Sequence, residues 1–352
     1  MDEMNELGRV WARVPESDWS DVAAARATLN SRISQASRSG EVVLRRRRRW
    51  LPGRRLSVRL ALVGAMAAVF GGGTVVTQVV LGGQASPLGA APASAQALLE
   101  LAARAADGQR DLVPGPGQYV HTKQLVQANL YVRDRETGRE LHSVVQTSEE
   151  RWEPADAGKA WLTRERPESA TGEAPRHLWD TGLEDTLYEA SSCPGRRAYV
   201  RLAAWPTDVS QVRAKLTEQA GGDRLRMWDE LKELATESVV RPSLSAALFR
   251  VAAGMDGITM IPDAVDAAGR KGTAVAMDEG NGTRTELIFD SATYGYLGFR
   301  TVNTRDIKQG PPGHPAFTTP KGTASGTAVI AVDLTTSLPE LSDRVSRIRE
   351  PC

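Results

Sequence analysis

The chain has 352 residues, with 44 Lys+Arg against 43 Asp+Glu, 41% apolar residues and 25% charged ones. That is long enough for one large or two ordinary domains around a real core, and the composition is not that of a wholly disordered chain. A net charge of +1 excludes an overall basic nucleic-acid binder, and two cysteines with four scattered histidines leave no room for a zinc finger or a Cys-rich scaffold.

The average charge hides an asymmetry. Residues 1–59 carry 13 arginines against 7 acids, whereas residues 60–352 carry 31 basic against 36 acidic side chains. Within this basic arm, Met4, Leu7, Val10, Trp11 and Val14 sketch a weak helix that stops before Pro15. A second helix, capped by Ser17 or Asp18, carries Val22, Ala25, Leu29 and Ile33 on a narrow apolar stripe. The arm then ends in Arg45, Arg46, Arg47, Arg48, Arg49, Trp50, Arg54, Arg55 and Arg59.

From Leu60 to Leu81 follow 22 residues without a charge. As a helix rising about 1.5 Å per residue they span about 33 Å, close to the ~30 Å hydrocarbon thickness of a bilayer. No further basic residue occurs until Arg104. The positive-inside rule therefore predicts a single span with residues 1–59 cytoplasmic and the remainder exported, the eight arginines lying at the membrane interface. A buried core helix would not explain those arginines. A cleaved signal peptide has A-x-A-like sites at 91–93 and 93–95, but the basic arm and the apolar run are both too long for one. Gly71-Gly72-Gly73 reads either as a close-approach face in lipid or as local flexibility.

Residues 82–93 form a Gly/Ala/Pro/Ser linker. Residues 94–352 read as one exported α+β domain. Ser94 precedes the helix-forming run AQALLELAARAA, and Pro114-Gly115-Pro116-Gly117 breaks it. The period then changes to that of strands. Gln118–Val132, Glu140–Glu153 and Lys159–Arg166 read as an antiparallel meander, with Trp152 and Trp161 placed for a cross-strand pair. Residues 167–200 read as a loop with short strands. Three helices follow: one capped by Thr207 or Asp208 and ended by Gly221-Gly222, one over Arg224–Glu237, and one after Ser243.

A second meander closes the domain, with strands at Ile258–Ile261, Gly272–Asp278, Thr283–Asp290, Tyr296–Asn303 and Gly326–Leu334. Asn281-Gly282 supplies a tight turn, and Asn281-Gly282-Thr283 is also a glycosylation acceptor triplet. The expected fold is thus a curved antiparallel sheet of two meanders with packed helices, preceded by one transmembrane helix and a short cytoplasmic helical arm.

Three stretches carry a resemblance: Pro116–Val120, Leu244–Arg250 and, above all, the run from Gly257 to Val302. With the Arg-rich flank and single span, they resemble a family of uncharacterised single-span membrane proteins of actinobacteria. The resemblance covers nearly the whole chain and implies no activity. The strand–helix–strand order is also similar, as a distant fold analogy, to the half-barrels of periplasmic lipoprotein carriers and sigma-regulator sensor domains.

No catalytic pattern emerges. There is no G-x-S-x-G, no P-loop, no G-x-G-x-x-G opening a helix and no H-E-x-x-H. His121 and His142 could face each other across the first hairpin, and the acid pairs Glu149-Glu150 and Asp278-Glu279 read as solvated groups near turns. No catalytic, cofactor or metal residue is predicted. Cys193 and Cys352 are candidates for a disulfide, which the exported side permits; the entropy of closing so long a loop is on the order of 5 kcal/mol. Two functions fit. The first is an exported binding or sensing module for an apolar ligand or a protein partner. The second is a membrane-tethered regulator acting through residues 1–44, in the manner of a zinc-free anti-sigma factor, since residues 1–59 hold neither His nor Cys.

Overall fold

A computed structural model describes residues 92–134, 137–156, 158–189, 198–309 and 317–349. The arm expected to be cytoplasmic (1–59), the apolar run 60–81, Arg45–Arg49, Arg54, Arg55 and Arg59, expected at the membrane interface, and both Cys193 and Cys352 lie outside the described residues. Among the described residues no helix is long and apolar enough to cross a membrane.

The first helix, α1 (Ala95–Asp107), begins where the Ser94 side chain accepts a hydrogen bond from Ala97 N at 3.1 Å. It buries Leu98, Leu99, Ala102, Ala103 and Ala106, a single stripe at helical spacing. Three long strands follow, β1 (Tyr119–Arg133), β2 (Glu140–Pro154) and β3 (Trp161–Gly172), and then the short β4 (Glu184–Tyr188). The helical section comprises α2 (Ala198–Ala203), α3 (Val209–Gln219), α4 (Arg224–Glu237) and α5 (Pro242–Ala253). Asp208 caps α3 and Asp223 caps α4, each accepting from the backbone N–H three residues on. Pro242 opens α5, where its missing N–H costs nothing.

The second meander is β5 (Ile258–Val265), β6 (Lys271–Asp278), β7 (Thr283–Phe289) and β8 (Tyr296–Asn303). A small separate hairpin, β9 (Ile307–Gln309) with β10 (Phe317–Thr319), precedes β11 (Ala324–Thr335) and β12 (Val345–Ile348). The two meanders are not independent. They join in one ten-stranded sheet of order β12-β4-β3-β2-β1-β11-β8-β7-β6-β5, with β11 inserted between the first strand of one meander and the last of the other. The expected all-antiparallel sheet is corrected at one edge, because β12 runs parallel to β4.

The helices cover one face of this sheet. Leu98, Leu216, Trp228, Leu231, Leu248 and Phe249 pack there with Val275, Met277, Leu287, Phe289 and Val329, all essentially inaccessible to solvent. The Phe249 ring meets Phe289 edge-on at 5.1 Å. The period of two sends the alternate residues Ala274 and Ile288 to the opposite face, where they form a smaller cluster with Ala264 and Leu297.

That opposite face has its own cover. A bulge in β5 between Ile261 and Ala264, with Asp263 at φ 53°, turns the β5–β6 hairpin tip across the sheet. Arg270 Nη2 then donates to Leu297 O on β8 and Val329 O on β11, and Gln146 Nε2 on β2 reaches Ala267 O at 2.8 Å. Four strands separate β2 from β6 in the ladder. At about 4.8 Å per strand these elements meet only because the tip folds over. Close approach within the sheet also needs glycine: a Cβ on Gly298, at φ 146°, would lie 2.0 Å from Thr327 O.

Register corrects two expectations about aromatic pairs. Trp152 pairs with Leu162, not Trp161, and the two tryptophans point to opposite faces. Trp152 stacks on His121 at 4.5 Å and Trp161 on Tyr188 at 3.8 Å. His121 and His142 likewise do not face each other, because His142 pairs with Tyr131 and stacks on that ring.

Candidate functional site

The helix layer is apolar over β5–β8 but ionic over β2. Alternation along β2 sends Glu149, Arg151 and Glu153 towards the helices and Glu150 and Trp152 to the other side. The helices answer with charges of their own. Tyr199 N, in α2, donates to Glu153 Oε2 at 2.9 Å, and Arg201 pairs with Glu237 at the end of α4. Arg241, just before α5, donates to Leu202 O and Trp205 O, tying α2 to the α4–α5 junction.

Between these groups lies a cavity of about 30 Å³, lined from the sheet by Val120, Thr122, Gln124 and Arg151 and from the helix layer by Glu237 and Val240. A cavity of that size has room for a water molecule or two, since one molecule needs roughly 10–15 Å³ of such volume and two or more polar partners. This cavity is itself too small for an apolar ligand, and among the described residues Val113, Val265 and Ile330 are the exposed large apolar side chains.

The seam shifts the ionisation of its members. Burial pushes the Glu237 carboxyl up, against the opposing pull of Arg201 and Arg151. Burial likewise pushes Glu149 up, with Arg151 opposing. Burial works against the charge on Arg151, but Glu149, Glu153 and Glu237 outweigh it and keep the guanidinium protonated.

The opposite face carries a second polar arrangement. His121 Nε2 lies 3.0 Å from Glu150 Oε2 and its Nδ1 lies 3.3 Å from Asp333 Oδ2, so one imidazole bridges β2, β1 and β11. The hydrogen bond from His121 holds Glu150 below the ordinary carboxylate range, with Lys123 adding to the effect. The two carboxylates sit on opposite sides of the ring and do not converge on a point. Among the described residues no group of three His, Cys, Asp or Glu could hold a metal ion.

A third arrangement pins the C-terminal segment. The fully buried Asp185 carboxylate accepts Arg164 Nε at 2.7 Å and Nη2 at 2.9 Å, and Ser342 N at 2.6 Å. Arg164 also donates to Glu340 O. Leu338, Leu341 and Val345 thereby close over Trp152, Leu162 and Leu187.

Sequence reasoning missed the seam. Glu149 and Glu150 lie in mid-strand, not near a turn, and each is engaged on its own face, which corrects their reading as solvated acids. The available signal was the run Glu149-Glu150-Arg151-Trp152-Glu153, too charged for a strand with one plain solvent face. Asp278 and Glu279 do sit at the β6–β7 turn, where Glu279 accepts from Thr283 and Thr285. That turn takes its positive φ at Gly280 and Gly282.

No family model matches the chain, and no curated protein matches it. Among solved structures, a crystal structure from Vibrio parahaemolyticus described as an outer membrane lipoprotein-sorting protein domain is similar over 70% of this chain and 95% of that one, at 10% identity and a TM-score of 0.18. At that score the overlap does not establish a shared fold.

Proposed function

We propose that this is a single-span membrane protein whose exported domain is a binding or sensing module, and that its ligand is amphipathic and lodges between the helix layer and the sheet. The observation that supports this most is the cavity at the layer boundary. Its apolar residues, Val120 and Val240, belong to the core cluster, and Arg151, Gln124 and Glu237 set polar groups beside them. Pockets that orient a ligand combine these two surfaces. At about 30 Å³ the cavity is too small for such a ligand, so in this reading entry requires the helices to move off the sheet. In this reading residues 60–81 hold the domain to the bilayer, the eight arginines sit on the cytoplasmic side, and the protein binds rather than catalyses.

Two measurements test it. The full chain, purified from membranes in mild detergent, is titrated with a fluorescent fatty acid; saturable binding that Val120→Trp abolishes is expected. Absence of saturable binding, with no lipid recovered on organic extraction, refutes the ligand. Protease added to intact cells should digest the domain; protection of the domain, or a full-length chain in the soluble fraction, refutes the topology.

A further inference from the structure

The β6–β7 turn reads Glu279-Gly280-Asn281-Gly282-Thr283, and its polar groups converge on one side-chain amide. Asn281 is exposed at the tip. Its Oδ1 accepts from Thr283 N at 2.9 Å, and the Thr283 hydroxyl lies 2.6 Å from the same oxygen and 2.6 Å from Glu279 Oε2. Donors aimed at a carbonyl oxygen stabilise the negative charge it acquires when a nucleophile adds to its carbon. The next peptide nitrogen is Gly282 N, and among the described residues no hydrogen bond uses its N–H. Arg305 Nη2 donates at 2.9 Å to Asn281 O, the carbonyl of that same peptide group. A cation there favours loss of the N–H proton, because resonance shares the resulting charge with the oxygen. Gly282 sits at φ 100°, and a Cβ on it would lie 2.5 Å from Arg305 Nε, so the absence of a side chain leaves room for the guanidinium against this peptide.

We propose that Asn281 is a self-modification site, at which the folded turn drives conversion of the side-chain amide to a carboxylate. Gly282 N gives its proton to solvent and bonds to Asn281 Cγ. The bond from Cγ to Nδ2 then breaks, and ammonia leaves with a proton taken back from solvent. Water opens the resulting cyclic imide at one of its two carbonyls. Opening at Cγ gives aspartate, and opening at the main-chain carbonyl gives isoaspartate. The balance is one water consumed and one ammonia released, with no oxidation or reduction. The other described asparagines lack this arrangement. Asn303 Nδ2 donates to Thr319 Oγ1, and the following Thr304 N–H is held by Gly282 O. Asn129 lies inside β1 with its Nδ2 on Ala324 O. The product places a carboxylate where Asn281 Nδ2 stood 3.4 Å from Glu279 Oε2, so like charges meet in the turn. The isoaspartyl form also adds a backbone atom to a turn closed by Thr304 N on Gly282 O and Glu279 N on Thr283 O. The β6–β7 turn therefore loosens as the protein ages.

The full chain in detergent is incubated at mildly alkaline pH, folded or unfolded in guanidinium chloride, and its peptides are weighed over time. The peptide carrying Asn281 should gain about 1 Da, with isoaspartate detected by enzymatic methylation, while those carrying Asn129 and Asn303 stay unchanged. Conversion at Asn281 should run at least about threefold faster in the folded chain than in the unfolded one. Arg305→Met, at the surface, should slow the folded chain about threefold to tenfold and leave the unfolded rate unchanged. Slower conversion at Asn281 folded than unfolded overturns the proposal without recourse to any variant. An R305M rate equal to the wild type in the folded chain overturns it as well.

Discussion

Replacing Arg164 by Met keeps much of the side-chain volume and removes the guanidinium that faces Asp185. The Asp185 side chain has no solvent exposure and Arg164 is only 13% exposed, so water cannot take over the lost bonds. What remains on the carboxylate is the Ser342 N–H, and Glu340 O loses its donor. Breaking a buried pair from one side costs about 3–5 kcal/mol. With a urea m-value of about 2–3 kcal/mol/M, the unfolding midpoint of R164M should drop by about 1–2 M. The pH dependence gives a second, independent sign. In the wild type, burial pushes Asp185 up but the hydrogen bonds from Arg164 and Ser342 overcome it and hold the carboxyl below its ordinary value near 3.8. Its contribution is therefore complete above that value and disappears as pH falls through the lower, folded one. In R164M burial dominates, the carboxyl moves up, and protonation relieves the unpaired charge. The deficit of the variant should then be largest at neutral pH and shrink towards about pH 4.5, and R164M/D185N should regain much of it. A loss below about 1 kcal/mol, or a deficit constant between about pH 7 and 4.5, would refute the claim that this pair pins the C-terminal segment.

Other outcomes follow from the same structure. Leu248→Ala, at a position with no solvent exposure in α5, should cost about 2–5 kcal/mol and lower Tm in calorimetry by on the order of 10 °C. Gly298→Ala should cost at least about 2 kcal/mol, because its Cβ meets Thr327 O, whereas Gly222→Ala, also at positive φ but with open space around it, should cost only about 1 kcal/mol by denaturant titration. Removing the Glu286 carboxylate, buried between Arg284 and Arg300, should destabilise the β7–β8 pair by about 3–5 kcal/mol, seen as faster exchange of those strands.

How far the fold was legible depended on the range of the interactions that fix it. The helix at Arg224–Glu237 and the strand at Tyr296–Asn303 match expectation because their caps, periods and flanking glycines are local. The strand at Ile258 runs on past Pro262 to Val265, because a bulge absorbs the proline, a device that alternation alone cannot reveal. The helix at Ala198 and the strand at Glu184 are short and lean on tertiary contacts: Tyr199 needs Glu153, and Asp185 needs Arg164. The expected Trp152–Trp161 pair fails for a similar reason. A shift of one residue in register flips a side chain to the other face, and here register is set by strands far apart in sequence.

The insertion of β11 joins into one sheet what the sequence reads as two meanders separated by helices. Without β11, β1 and β8 would each be an edge strand with unpaired backbone groups, and the helices would join two small sheets. With it, fifteen-residue β1 is paired along both sides for much of its length, to β2 and to β11. The His121 bridge then acts across the very junction that β11 creates, since Asp333 belongs to β11 and Glu150 to β2. The seam has the complementary position, on the helix-facing side of β2, where the apolar cover thins. The opposite side is held by the C-terminal segment, the hairpin tip and the His121 bridge, whereas α2 is held by buried Leu202, by Tyr199 N on Glu153 and by the Arg201–Glu237 pair to α4. Lifting α2 would uncover buried Leu202 together with ions that water solvates well, whereas lifting α5 would uncover Leu244, Leu248 and Phe249.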